Sequence, residues 1–426
     1  MERMIRIWAA ACAAGMWMTV HAPAQAGAGA PAGTEAWAQE LCAAIQEGAQ
    51  LLRDNQLAPA DGAARAALLE ALIRASEPSV SFLGEEELAA RTHRLAARDW
   101  DAGLTLVASE DQPRVAAVRA GSPAAAAGIL PGEWIEKIGG RDILSGAGLG
   151  YVRELLAAGD DPALEIGVRA ADGKSRLVPV ARVRRAESSL TDVEELPAGM
   201  GYLRAAGVFP GTGAEIAAVL EKWQSTELFG AILDLRGAAG TAEAEVPLVA
   251  ARFAPEGTWL YTLSDRQGAE LARVQAPAAP VEALPLMVLV DEDTAGAAEL
   301  LAAVLGGSVK GAMIIGRETA GDPLVREPKK LSTGRYALLA TRMLKTADGT
   351  VYAGTNGVAP DVVITDTALD ETVYEPEAPV LRKGKTLSDE EKEDKALRDR
   401  TRNDTFLRRA ADVLLGLKAL GYGRKP

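Results

Sequence analysis

Histidine and cysteine are scarce, with two of each in 426 residues. His21 and Cys12 fall in an amino-terminal segment expected to be removed, which leaves His93 and Cys42. One thiol cannot form an intrachain disulfide. One histidine excludes a multi-histidine metal site and a Ser-His-Asp triad with a histidine to spare. A hydrolase built on this chain would need Lys, Asp or Glu as its base. Neither a metal nor a cofactor is expected. Positive charge is also in deficit, with 46 Lys and Arg against 59 Asp and Glu. Cleavage after Ala26 would remove Arg3, Arg6 and Glu2 and move the net charge from −13 to −14. That balance argues against nucleic acid or an anionic membrane surface as a partner.

Long apolar runs are missing beyond the first 26 residues, so no later segment has a transmembrane length. Those residues read as a basic start, "MERMIR", an apolar segment, "IWAAACAAGMWMTV", and an A-x-A cleavage site ending at Ala26. The mature protein is therefore expected to be periplasmic or secreted. An uncleaved anchor fits less well because the apolar run is short for a bilayer. Cys12, with Ala9 three residues before it, makes a poor lipoprotein site.

What remains is ample for several cores, since 48% of the chain is hydrophobic. The pattern predicts an α+β multidomain protein. After the signal peptide, 1–26, apolar residues at three- and four-residue spacing predict an N-terminal helical region over 27–98. Over 99–186 the period shortens to strands and turns with one helix near Gly148–Ala158, a small β-rich module. Strands and helices then alternate over 187–370, predicting an α/β domain with a partly parallel sheet. Residues 371–403 are dense in charge and read as a solvated linker. Over 404–426 a final helix carries Phe406, Ala410, Val413, Leu414 and Leu417 on one stripe, expected to pack on the body, with a dimer contact as the alternative.

The stretch "LPLMVLVDEDTAGAAELLAAVL" is a strand, an acidic turn and a helix of small residues expected to start near Thr294. A strand-to-helix turn can expose a nucleophile beside free helix N–H groups. Here it offers Thr294, Ala295, Gly296, Ala297 and Ala298. Thr294 is expected to cap the helix. Ser308, in "LGGSVKG" with Lys310 nearby, is expected in a turn beyond it.

Several stretches in order resemble those of the carboxy-terminal processing peptidases, or tail-specific proteases. They are "SPAAAAGILPGEWIEKIGG" for a PDZ domain, "GAILDLRGAAG", "LPLMVLVDEDTAGAAE", "GRETAGD" and "YALLATRMLKTADGTVYAGTNGVAPDVVI". "SEPSVSFLGEEEL", Ser76–Leu88, matches the hinge before the family's PDZ domain. The resemblance implies N-terminal helices, a PDZ-like module, a ClpP/crotonase-like α/β domain and a C-terminal helix. It also implies cleavage by a Ser/Lys dyad, with a lysine kept neutral by desolvation as base. Carried over by position, the serine slot holds Gly296, the lysine slot Asp322 and the glutamine slot that follows it Arg326. In the turn that supplies oxyanion donors, Gly240 is kept and Thr241 stands where a second glycine is usual. Asp322 and Arg326 are expected to pair with each other.

The expected function is thus an exported pseudopeptidase that binds protein C-termini or extended segments, as an adaptor or as a regulator of an active peptidase relative. In the resembling PDZ domains a peptide end adds a strand to a sheet edge. Gly103, Leu104, Thr105 and Leu106 would supply the loop and strand, and Tyr151, Val152 and Leu155 the groove wall. The competing account of those apolar residues is plain module core. Two alternatives stand beside this function: an active serine-type endopeptidase with a non-standard nucleophile, and a structural subunit without tail binding. A homo-oligomer formed through the terminal helices is a further expectation.

Overall fold

The computed structural model describes residues 32–57, 62–95, 102–109, 112–157, 161–183, 188–226, 228–279, 284–324, 326–354, 356–365 and 388–422. The expected signal peptide lies outside them. Two units are present, Met1–Leu69 and Glu70–Pro426. The first contains α1 (Ala32–Asp54) and the start of α2 (Gly62–Ser76). Its Ala, Glu, Gln and Leu content suits helix formation, and α1 leaves Ile45 and Leu51 exposed.

The second unit opens with the end of α2, then β1 (Ser81–Leu83) and α3 (Glu85–Leu95). A small module follows, with β2 (Leu104–Val107), β3 (Arg114–Val118), α4 (Pro123–Ala126), β4 (Trp134–Ile138), β5 (Arg141–Asp142), α5 (Leu149–Ala157), β6 (Ala163–Arg169) and β7 (Ser175–Ala181). Its strands run β2-β3-β4-β6-β7, with β5 beside β4 and every pairing antiparallel. β2 is therefore an edge strand. Ile135, Ile138, Ile166 and Val168 pack with Val115 and Val152; Ile166 and Val168 follow the period of two, and a register shift between Ile135 and Lys137 brings Ile138 to the same core.

The larger domain contains β8 (Leu190–Leu196), β9 (Met200–Ala205), β10 (Gly207–Val208), α6 (Thr212–Trp223), β11 (Gly230–Asp234), β12 (Ala239–Gly240), α7 (Val246–Ala250), β13 (Trp259–Asp265), β14 (Glu270–Gln275), β15 (Leu286–Val290), α8 (Gly296–Ser308) and β16 (Ala312–Gly316). It continues with β17 (Pro328–Lys330), β18 (Tyr336–Leu338), β19 (Arg342–Thr346), β20 (Val351–Tyr352) and β21 (Val362–Val363), then α9 (Asp389–Thr401) and α10 (Thr405–Ala419). The main sheet has the order β21-β16-β15-β11-β9-β8. It is parallel from β21 to β9, and β8 is antiparallel at the edge. Every residue of β11 and β15 is buried, which is why β15 reads as an unbroken apolar run and β11 as one that ends in the ion-paired Asp234.

Alternate side chains serve two cores. Leu233, Val288 and Ile314 join the layer with α6, α7 and α8, whereas Ile232, Met287 and Ile315 join the layer with α10. Phe406, Ala410 and Leu414 of the terminal stripe are buried in that second layer. The stripe is spent on its own sheet, so α10 does not offer it to a second copy.

At the level of whole elements, the structure differs from the sequence expectations in three places. Residues 389–401 of the expected linker form α9, started by a capping box between Ser388 and Glu391 and anchored by buried Leu397. The stretch expected as a hinge carries β1, which pairs antiparallel with β18 at Ser81↔Leu338. A further antiparallel sheet, β14-β13-β19-β20, lies outside the main one; β14 is mostly exposed, with only Ala272 and Val274 half-buried, so its strand signal is weak.

Candidate functional site

Two strand ends build the site. β15 enters a turn at Asp291, and β11 enters another at Leu235. The turns are tied together, with the Asp291 carboxylate accepting from Gly237 N–H at 2.7 Å and Ala295 N–H donating to Ala238 C=O at 3.0 Å. Thr294 is fully buried. Its hydroxyl donates to Leu235 C=O at 2.9 Å and accepts from Asp291 N–H at 3.1 Å. It is thus a turn brace and not the expected cap, since α8 starts later, at Gly296, and is capped by Ala295 without a side-chain bond. Ser308 is likewise not beyond α8 but its last residue, its hydroxyl held between Leu260 C=O and Ala347 N–H. Lys310 is exposed.

Gly296 adopts φ +58, a left-handed conformation that glycine takes at little cost. Its N–H donates to Asp322 C=O at 3.0 Å, and Ala320 N–H donates to Thr294 C=O at 3.1 Å. The turn before α8 and the loop 319–322 are therefore joined through their backbones. Glu299, one turn into α8, fastens the loop further. It accepts from Gly321 N–H at 2.7 Å, Asp322 N–H at 2.8 Å and the Thr319 hydroxyl. Burial pushes its carboxyl up to about 7, against the opposing pull of those donors and of Arg326.

Asp322 lies between two arginines. Arg326 Nε is 2.6 Å from its Oδ1, with both side chains largely buried. Oδ1 nonetheless has no hydrogen-bond partner among the described residues, so this contact is a charge pair without an aligned hydrogen bond. Arg91 of α3 donates to Oδ2. Arg326 also donates to Ser79 C=O at 2.8 Å and Gly354 C=O at 2.9 Å. Burial lowers its pKa, opposed by Glu77 and Glu299. A pocket of about 10 Å³ beside the pair is lined by Asp322, Leu324, Arg326, Thr341, Arg342 and Tyr352, room for about one water.

Gly240 has φ +134 and pairs with Val208 in a parallel ribbon of β10 and β12. A Cβ there would come within 2.2 Å of Val208 C=O, so only glycine fits. Thr241 is exposed.

In the small module, Gly103 has φ +77, and a Cβ would collide with Ser122 at 2.1 Å. Thr105 and Leu106 are buried, Leu104 is half-buried and Tyr151 is exposed. Val152 and Leu155 lie in the module core with Leu106. The same helix reaches the larger domain through Arg153, which bonds Asp291 at 2.8 Å and Asp293. Burial opposes the Arg153 charge, yet the two aspartates more than offset it and raise its pKa. Gly237 is small enough to pass beneath, since a Cβ would meet Arg153 Cζ at 2.7 Å.

A deeper ion network holds the sheet ends. Arg236 pairs with Asp234 at 2.5 Å and Asp404 at 2.8 Å, all three buried. Asp404 also caps α10 by accepting from Leu407 N–H. Sequence reasoning missed Arg91, Arg153 and Asp404, because each acts across more than a hundred residues of chain.

Comparison with known proteins fits this layout. Residues 199–364 match the sequence model of peptidase family S41, and residues 114–169 that of a PDZ domain. The chain is thus a PDZ-bearing relative of the serine-type peptidases with a mixed α/β domain. Over these segments it resembles the carboxy-terminal processing peptidases that its curated relatives are named as. It is 27% identical over 310 residues to the C-terminal processing peptidase, chloroplastic, of Tetradesmus obliquus, covering 69% of this chain and 66% of that protein. It is 28% identical over 281 residues to the carboxy-terminal-processing protease of Bartonella bacilliformis, covering 63% of each. The chain therefore spans just under two thirds of the length of these curated relatives. A solved photosystem II D1 C-terminal processing protease aligns at 26% identity and a TM-score of 0.42, covering 69% of this chain and 79% of that one.

Proposed function

We propose that this protein is an exported pseudopeptidase that holds protein C-termini or extended segments on its PDZ domain without cutting them, as an adaptor or as a regulator of an active relative. The observation that carries the reading is the state of the lysine slot. Asp322 there is a carboxylate clamped by Arg91 and Arg326, and Gly296 opposite has no side chain. Gly296 carries no nucleophilic atom, and a carboxylate held between two guanidinium groups is a far weaker base than a neutral lysine amine. Thr294, the nearest hydroxyl in the turn, is buried and already committed to Leu235. The edge position of β2 supports strand addition by a ligand.

The test is incubation of the mature protein with an unstructured substrate, followed by mass spectrometry of both, alongside a fluorophosphonate probe. Intact substrate and no label are expected. Cleavage that survives repurification and vanishes on mutating Thr294 or Ser308 would overturn the reading. A structural subunit is the second reading, favoured by the burial of Leu106, Val152 and Leu155 in the module core. Failure of peptides to bind while the fold is intact would favour it.

A further inference from the structure

The stretch from Glu77 to Arg91 is fastened to the larger domain at successive points. Arg266 holds Glu77 at 2.6 Å, Arg326 holds Ser79 C=O, β1 pairs with β18, and Arg335 donates to Phe82 C=O at 2.8 Å. Val80 and Phe82 are buried there with Ala337. The fastening changes character at α3. None of its described side chains is buried, so apolar burial holds it weakly. It packs on β1 and on β12, the strand that carries Gly240. Its ion pair with Asp322 spans 231 residues of chain and joins α3 to the loop fixed by Glu299.

We propose that Arg91 latches α3 over the turn at Ala239–Gly240, so that the cleft holding Asp322 is shut by the chain's own segment. A polypeptide entering the cleft must first displace this ion pair. Asp322 suits the task because Arg326 keeps its charge paired when Arg91 leaves. Opening therefore strands no lone buried carboxylate, the main cost of breaking a buried pair. This device is independent of tail capture by the PDZ domain.

Hydrogen exchange on the full mature chain tests it, comparing wild type with Arg91→Ala and Arg91→Lys. Loss of Arg91 should speed exchange across α3 and at Ala239–Thr241 together, by roughly five- to tenfold, with Lys recovering part of the protection. Raising salt from about 0.05 M to about 1 M should speed the same amides in wild type but not in Arg91→Ala. Unchanged exchange in Arg91→Ala, or acceleration confined to α3 with β12 unaffected, would overturn the proposal. If Arg91→Ala fails to fold, the wild-type salt series decides, and its insensitivity counts against the latch.

Discussion

The Gly296 N–H donates to the Asp322 carbonyl at 3.0 Å. The two positions that resemble a serine and a lysine slot are therefore joined backbone to backbone. Restoring a dyad means rebuilding around this bond. Gly296→Ser should cost about 1–2 kcal/mol, because serine must adopt φ +58. Asp322→Lys would bring a third cation between Arg91 and Arg326. The double variant should melt well below wild type and hydrolyse no casein above background. Robust turnover from those two changes would show that the arginines leave room for a neutral lysine.

Asp322 and Arg326 should be coupled energetically by about 1–3 kcal/mol, since both are largely buried. A thermal double-mutant cycle with Asp322→Asn and Arg326→Gln measures this. Arg326→Gln alone should be the costlier change, because it also frees the carbonyls of Ser79 and Gly354. Additive effects would mean that the short contact carries no net energy.

Glu299 should give stability an unusual pH slope. Its folded pKa of about 7 exceeds the ordinary value of 4.5, so the folded state holds the proton more tightly. Its contribution is complete below about 4.5 and is lost as pH rises through about 7, with a slope approaching ~1.4 kcal/mol per unit. Glu299→Gln should flatten that region of the curve. Parallel wild-type and variant curves between about pH 5 and 7 would contradict the assignment.

Arg153→Ala should destabilise the protein by about 3 kcal/mol, by leaving the buried Asp291 carboxylate without its cation. Arg153→Lys should recover part of the loss. A change in melting equivalent to less than ~0.5 kcal/mol would mean that the PDZ helix is held by other contacts.

Peptide binding to the mature chain should weaken when the ligand's C-terminus is amidated, because strand addition at β2 leaves a free carboxylate facing the loop at Gly103. Titration of paired free and amidated peptides checks this. Equal affinities would favour the structural-subunit reading.

The main sheet was legible because β15 is apolar throughout and β11 is apolar up to Asp234, and the PDZ strands because most of their apolar positions alternate. Glu299 and the small residues before it set the register of the site. Asp404 was not legible, although an acidic residue before a helix is a familiar cap, because its second role needs Arg236 from 168 residues away. β1 was hidden for a related reason. Three residues carry no periodicity, and their partner strand lies beyond the whole PDZ domain. Arg91 looked like one more charge on a polar helix until the fold placed Asp322 beside it.

The burial of Ile232, Met287 and Ile315 beneath α10 bears on how the molecule is made. The helix that covers this face follows every strand of the sheet along the chain, so the nascent sheet keeps an apolar surface uncovered until Thr405–Ala419 has been made. Fragments that stop before Asp404 should be captured by chaperones or aggregate. The α/β domain cannot be excised as the continuous piece 187–370, because β1 comes from before the PDZ domain and α10 from the far end of the chain.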